Sequence, residues 1–157
     1  MKKLVIILLT FLVLASGVAF ARGKEIAVAA SDKTPGASIS GQAALAPFFL
    51  FYDGKGKFIE AKENPYKSKG GAAEEVAEFL SGRGVRIVVA GGFGGALLVS
   101  ELPPAGVAAV LPDHSGGAIV ESMKEKGIEA VLFDGSARDA VKAIKKLWKS
   151  SHDLEIN

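Results

Sequence analysis

The chain has 157 residues, 19 Lys or Arg against 17 Asp or Glu, and a 49% hydrophobic composition. That length suits one domain with its own core, and so even a charge excludes the strongly basic surface that general affinity for nucleic acid requires. The absence of cysteine excludes disulfides, thiolate chemistry and every cysteine-ligated metal or cluster site.

Residues 1–21 read as a secretory signal peptide. Lys2 and Lys3 form a positive start, Leu4 to Leu14 is apolar apart from Thr10, and Ala19-Phe20-Ala21 supplies a small-x-small cleavage site before Arg22. An uncleaved anchor is the competing reading, because Leu4 to Ala21 is 18 residues without a charge. The expected address is periplasmic or extracellular after cleavage at Ala21, with membrane contact only through the signal peptide before that step. Its removal takes away Lys2 and Lys3 and no acid, leaving 17 residues of each charge. A single domain is then expected over 22–149, with 150–157 as a flexible tail.

Glu25 to Ala30 is a short apolar strand, and the turn-rich Ser31 to Gln42 follows it, with Pro35-Gly36 at its centre. Pro47 to Tyr52 is aromatic and apolar, Asp53-Gly54-Lys55-Gly56 is a hairpin signal, and Lys57 to Lys62 alternates as a half-buried strand does. Phe48, Phe49, Phe51 and Tyr52 are therefore expected in the core rather than as a stacking platform. Glu63-Asn64-Pro65-Tyr66 leaves the sheet, and Lys67 to Gly71 is a basic loop. Ala72, Val76, Phe79 and Leu80 recur at helical spacing up to Gly82, with Glu74, Glu75 and Glu78 on the other side.

The chain is organised around Gly84 to Gly95, GVRIVVAGGFGG, which reads as a strand buried on both faces and feeding a tight turn. The design recurs at Gly106 to Leu111 and Gly127 to Leu132, with entry glycines 22 and 21 residues apart. Three side-by-side parallel βα units are the expectation, each entry glycine ending a helix in the left-handed conformation. Between them lie an apolar helix over Ala96 to Leu102, stopped by Pro103-Pro104, and a weaker helix over Ser115 to Lys126 with Ile119 and Met123 inward. The last helix carries a stripe of Ala137, Ala140, Val141, Ile144, Leu147 and Trp148, with Lys142, Lys145, Lys146 and Lys149 outside and Ser136 with Asp139 as a capping pair.

In an open parallel sheet, ligands sit beyond the carboxyl ends of the strands. Those ends are Ser31-Asp32, Gly91 to Gly95, Asp113-His114-Ser115 and Asp134-Gly135-Ser136. Backbone N–H groups of Gly91, Gly92, Gly94 and Gly95 suit an anion at a helix start, although the same glycines also suit tight turns, and GGFGG is not a full G-x-G-x-x-G. His114 is the one histidine at an expected strand end, a metal ligand or base candidate, against a plain solvated loop. Asp32, Asp113 and Asp134 raise a third possibility, a carboxylate cluster for metal-dependent hydrolysis, against ordinary turn-forming aspartates.

Several motifs line up in order: the Glu25 to Ala30 strand with its Ser31-Asp32 exit, Ala46 to Asp53, the Glu63-Asn64-Pro65 turn, the Gly70-Gly71 loop, Gly91-Gly92-x-Gly94, and the region Gly127 to Ile144. With them the chain resembles the dinitrogenase iron-molybdenum cofactor biosynthesis family, which includes NifX and the C-terminal part of NifB. The resemblance implies a ribonuclease H-like three-layer α/β fold, its mixed sheet made of an N-terminal antiparallel hairpin and C-terminal parallel βα units. It also implies a non-catalytic binding or carrier role for an iron-sulfur or iron-molybdenum cluster; taken with the strand-end reading, the residues expected around a ligand are Gly70, Gly71, Gly91, Gly92, Gly94, Gly95, Asp113 and His114. Where members often carry His-Phe-Gly, this chain has Gln42-Ala43-Ala44, and Tyr66 to Lys69 stands where some carry histidine. Those departures suit a second reading, an envelope protein-interaction module that kept the fold without the ligands.

Overall fold

The computed structural model describes residues 25–94, 103–111 and 117–155, with side chains described as far as Ser150. The expected Ala96 to Leu102 helix lies outside these residues, as do the signal peptide, Gly95, Asp113 and His114.

The strands are β1 (Ile26–Ala30), β2 (Phe48–Tyr52), β3 (Phe58–Glu63), β4 (Ile87–Ala90), β5 (Ala109–Val110) and β6 (Glu129–Leu132), and the helices are α1 (Ala73–Ser81), α2 (Gly117–Glu125) and α3 (Ala137–Glu155). The strands form one mixed sheet in the order β3-β2-β1-β4-β6-β5. β2 pairs antiparallel with β1 and β3, while β1, β4 and β6 run parallel to their neighbours among these three. This is the hairpin-plus-parallel arrangement expected of the family.

Strand period two splits the interior into two layers. Ala27, Ala29, Phe49, Phe51, Val88, Ala90, Ala130 and Leu132 face α1 and α2, meeting Val76, Leu80, Val120 and Met123. Their neighbours Ile26, Val28, Leu50, Val89 and Val131 face α3 through Ala137, Ala140, Val141 and Ile144. β1 and β4 are buried on both faces, which is why each reads as an unbroken apolar run. The hairpin turn is closed by Asp53, whose Oδ1 accepts the N–H groups of Lys55 and Lys57, both at 2.9 Å.

Three expectations need correction here. The middle unit is not a parallel strand, because β5 is two residues long and pairs antiparallel with β6. Gly106, at φ 80°, turns the chain beside β6, and its N–H donates to the Asp134 carbonyl at 3.1 Å. A strand entered beside the exit of β6 has to run back down it, and Leu111 N–H accordingly reaches the Ala130 carbonyl at 2.9 Å. The last helix also continues to Glu155, through most of the segment expected as a tail. Its Ser136 Oγ accepts the Asp139 N–H at 3.2 Å and donates to Asp139 Oδ2 at 2.8 Å, so the capping pair forms as expected. Leu147, expected inward, is 43% exposed, since the short β5 leaves that flank of α3 uncovered.

Tyr52 is buried in the α3 layer with its ring edge-on to Phe58, centroids 5.6 Å apart, and its hydroxyl has no hydrogen-bond partner among the described residues. Burial pushes its pKa up, against the opposing charge of Arg138. Tyr52→Phe keeps the ring and removes the orphaned hydroxyl. It is expected to leave unfolding stability unchanged or raise it by up to about 1 kcal/mol in urea denaturation; a clear loss would show that the hydroxyl is bonded in solution.

Candidate functional site

The carboxyl ends of β1, β4 and β6 share one rim, because these strands are parallel and in register. β3 also ends there, with Glu63 paired to Phe48 and Phe48 to Ala30. The loop from β3 to α1, including Gly70 and Gly71, therefore opens on the same edge as Gly91 to Gly94.

Residues 31–44 fold back over this rim as a strap. Ser31 N–H reaches Ser38 O at 3.0 Å, Ser40 N–H reaches Ala29 O at 2.8 Å, and Ile39 N–H reaches Gly135 O at 3.0 Å. Ala37 packs in the α3 layer and Ala43 in the opposite one, so the strap crosses the rim from face to face. It crosses at the glycine turn: Gly91 N–H donates to Ser40 O at 2.8 Å, and Ala43 N–H donates to Gly92 O at 2.9 Å. A Cβ on Gly92 would lie 2.6 Å from Gly41 O, and one on Gly91 3.2 Å from Gly41 Cα. The first two glycines of GGFGG thus serve close backbone approach, the plainer of the two readings, and the Gly91 N–H is taken by the chain itself. Gly94, at φ 75°, has open space beside it. Gln42 places Nε2 3.5 Å from the position of a Gly92 Cβ, which puts a side-chain amide at the turn.

The other side of the rim is fixed by Asn64, the buried polar residue of the described core. Its Nδ2 donates to Ala44 O at 3.0 Å, its Oδ1 accepts the Tyr66 N–H at 3.0 Å, and its N–H donates to Pro47 O at 3.0 Å. One side chain thus ties the end of the strap to the loop carrying Gly70 and Gly71. Its only sequence signal was the Asn-Pro turn, which reads as exposed.

Lys67 and Lys69, in the basic loop, are paired with Glu63 and Glu75. The hydrogen bond from Lys67 holds the Glu63 carboxyl below its ordinary range, and that from Lys69 does the same for Glu75. The Glu75 carboxylate in turn raises the Lys69 pKa. Depressed carboxyls contribute above their ordinary value of 4.5 and lose that contribution as pH falls through the folded value below it. Lys69 contributes below 10.5 and loses its share as pH rises through the folded value above it. Relaxation of the Gly70 and Gly71 amides by NMR is therefore expected to stay constant across neutral pH, and to show more motion at about pH 3 or in about 1 M salt. All four groups are exposed, so the effect is local.

Asp32 is exposed, and its Oδ1 is taken by the Thr34 N–H and hydroxyl, both at 2.7 Å, the hydroxyl bond being the main cause of its lowered pKa. Asp134 is exposed on the same rim. Among the described residues no three His, Cys, Asp or Glu side chains converge as a metal would need, and Asp113, the third member of the carboxylate cluster weighed above, lies outside them. Asp113 and His114 lie outside the described residues, and the strand leading to them, β5, points away from the rim.

Residues 24–100 match the sequence pattern described as dinitrogenase iron-molybdenum cofactor. Among solved structures, a Thermotoga protein designated NifB superposes with a TM-score of 0.55 at 21% identity, over 78% of this chain and 88% of that one. The apo form of the orange protein from Desulfovibrio gigas superposes with a TM-score of 0.58 at 17% identity, over 79% and 88%. At these identities the likeness establishes a shared fold. No curated protein matches the chain.

Proposed function

Over residues 24–100 the chain carries a domain of the dinitrogenase iron-molybdenum cofactor family, and on that premise we propose that it binds and carries a metal cofactor or its precursor without catalysing a reaction. One observation carries the reading: the matched segment supplies β1 to β4, the strap and both glycine loops, which together make most of the described rim. The described residues do not assemble a coordinating set for that cargo. What they contribute is shape and hydrogen bonding, through the Gln42 amide, the open turn at Gly94 and the Gly70-Gly71 loop. A full set of side-chain ligands would need residues outside the described set.

The test is anaerobic incubation of the protein with ferrous iron, sulfide and molybdate, then gel filtration and elemental analysis. Metal retained in fixed proportion to protein is the expected result; protein emerging without metal overturns the reading. Export belongs to the same proposal. The protein recovered from a periplasmic or culture fraction should have the mass of a chain beginning at Arg22, and a mass including residues 1–21 would contradict it.

A further inference from the structure

The opposite end of the sheet holds a second, separate cleft. It has a volume of about 550 Å³ and is walled by Glu25, Arg86, Glu129, Trp148 and Lys149. The sheet itself sets their order. Arg86 N–H and Ile87 N–H donate to the Glu25 carbonyl at 2.9 and 3.0 Å, and Glu129 N–H donates to the Arg86 carbonyl at 2.8 Å. Acid, base and acid therefore stand side by side where β1, β4 and β6 begin, and α3 adds Lys149 and the half-buried Trp148. Among the described residues no ion pair joins either cation to either carboxylate; the described pairs are Lys62 with Glu60, Lys67 with Glu63, Lys69 with Glu75 and Lys142 with Asp139. The Glu25 carboxylate is seated over Gly54, where a Cβ would lie 2.5 Å from its Oε2, so the hairpin turn helps to hold it at the wall.

We propose that this cleft binds a small zwitterion, a free amino acid or short peptide with an ammonium group, a carboxylate and an apolar substituent. The ammonium is met by Glu25 and Glu129, the carboxylate by Arg86 and Lys149, and the substituent by the Trp148 indole. Among the described residues of the wall there are two charges of each sign, so a simple anion or cation meets as much repulsion as attraction from them. A ligand carrying both signs engages both pairs and contacts the apolar wall as well. The inference is independent of the cofactor reading, which concerns the other end of the sheet.

Trp148 is the single tryptophan of the chain, so fluorescence excited selectively at tryptophan reports on this cleft. The full-length protein is titrated with glycyl-leucine, and in parallel with acetate, butylamine and inorganic phosphate. A saturable change with the dipeptide is expected, and none with the three singly functional ions. Arg86→Ala and Glu129→Gln, both at exposed positions, are each expected to weaken the dipeptide by about tenfold. No saturable change with the dipeptide overturns the proposal, as does an equal response to phosphate, acetate or butylamine, or undiminished binding by both variants. Metal retention at the rim is measured on the same variants, and its persistence or loss leaves the outcome for this cleft unaffected.

Discussion

Gly92→Ala is expected to destabilise the protein by about 2–3 kcal/mol, lowering the melting temperature by about 5–10 °C. The new Cβ would lie 2.6 Å from Gly41 O. That atom belongs to the backbone of the strap, which is pinned on both sides by the Gly91 to Ser40 and Ala43 to Gly92 hydrogen bonds. Relief therefore requires the whole crossing to lift. Gly94→Ala meets no atom within 4 Å and suffers only the strain of φ 75°, about 1 kcal/mol. Gly36→Ala meets neither obstacle and serves as the reference. Thermal melts of the three should rank in that order, and a Gly92→Ala protein as stable as Gly36→Ala would show that the strap does not sit on the turn.

Asn64→Ala carries the second large effect, a loss of about 3 kcal/mol measured by urea denaturation. It strands the Ala44 carbonyl and the Tyr66 N–H, two part-buried groups that the fully buried Asn64 side chain satisfies, and each unmet group costs about 1–3 kcal/mol. Asn64→Asp separates the two bonds. A carboxylate still accepts the Tyr66 N–H but faces the Ala44 carbonyl with no proton to donate, and burial disfavours its charge. Its folded pKa is then raised above the unfolded value. By linkage the variant comes closest to wild type at low pH, where the acid is protonated and can donate, and loses stability as pH rises. A variant insensitive to pH would contradict this account of the site.

Much of the fold was legible because it rests on local pattern. β1 and β4 are unbroken apolar runs since both of their faces are covered, the Asp53 to Gly56 turn carries its own hydrogen-bonding side chain, and α1 and α3 show helical periodicity. The features that escaped depend on contacts far apart in sequence. The direction of β5 is set by Gly106 meeting Asp134, and nothing within Gly106 to Leu111 encodes which way a two-residue strand will run. Leu147 follows from this: it belongs to the apolar stripe, but so short a strand cannot reach over it, and it stays exposed beside Val107. Asn64 sits in a turn-like sequence, yet its decisive partner, Ala44, is 20 residues away.

The candidate site was legible as a location but not in its chemistry. The parallel strands place Gly70, Gly71, Gly91, Gly92 and Gly94 on one edge, as strand order and loop positions suggested. The strap, however, reads as an ordinary polar turn, and only the fold shows that it occupies the N–H of Gly91. Lys67 and Lys69 read as a plain basic loop because their partners Glu63 and Glu75 belong to the flanking strand and helix.

The central claim, that this rim is where the protein holds its cargo, is tested most directly by amide chemical-shift mapping of the isotopically labelled protein before and after anaerobic loading with iron, sulfide and molybdate. The account predicts that perturbations concentrate at Gly70 and Gly71, at Gly92 to Gly94 and in the strap around Gln42, with the hairpin turn at Asp53 to Gly56 unmoved. Perturbations gathered at that turn and at Glu25, Arg86 and Glu129, or none anywhere, would contradict it.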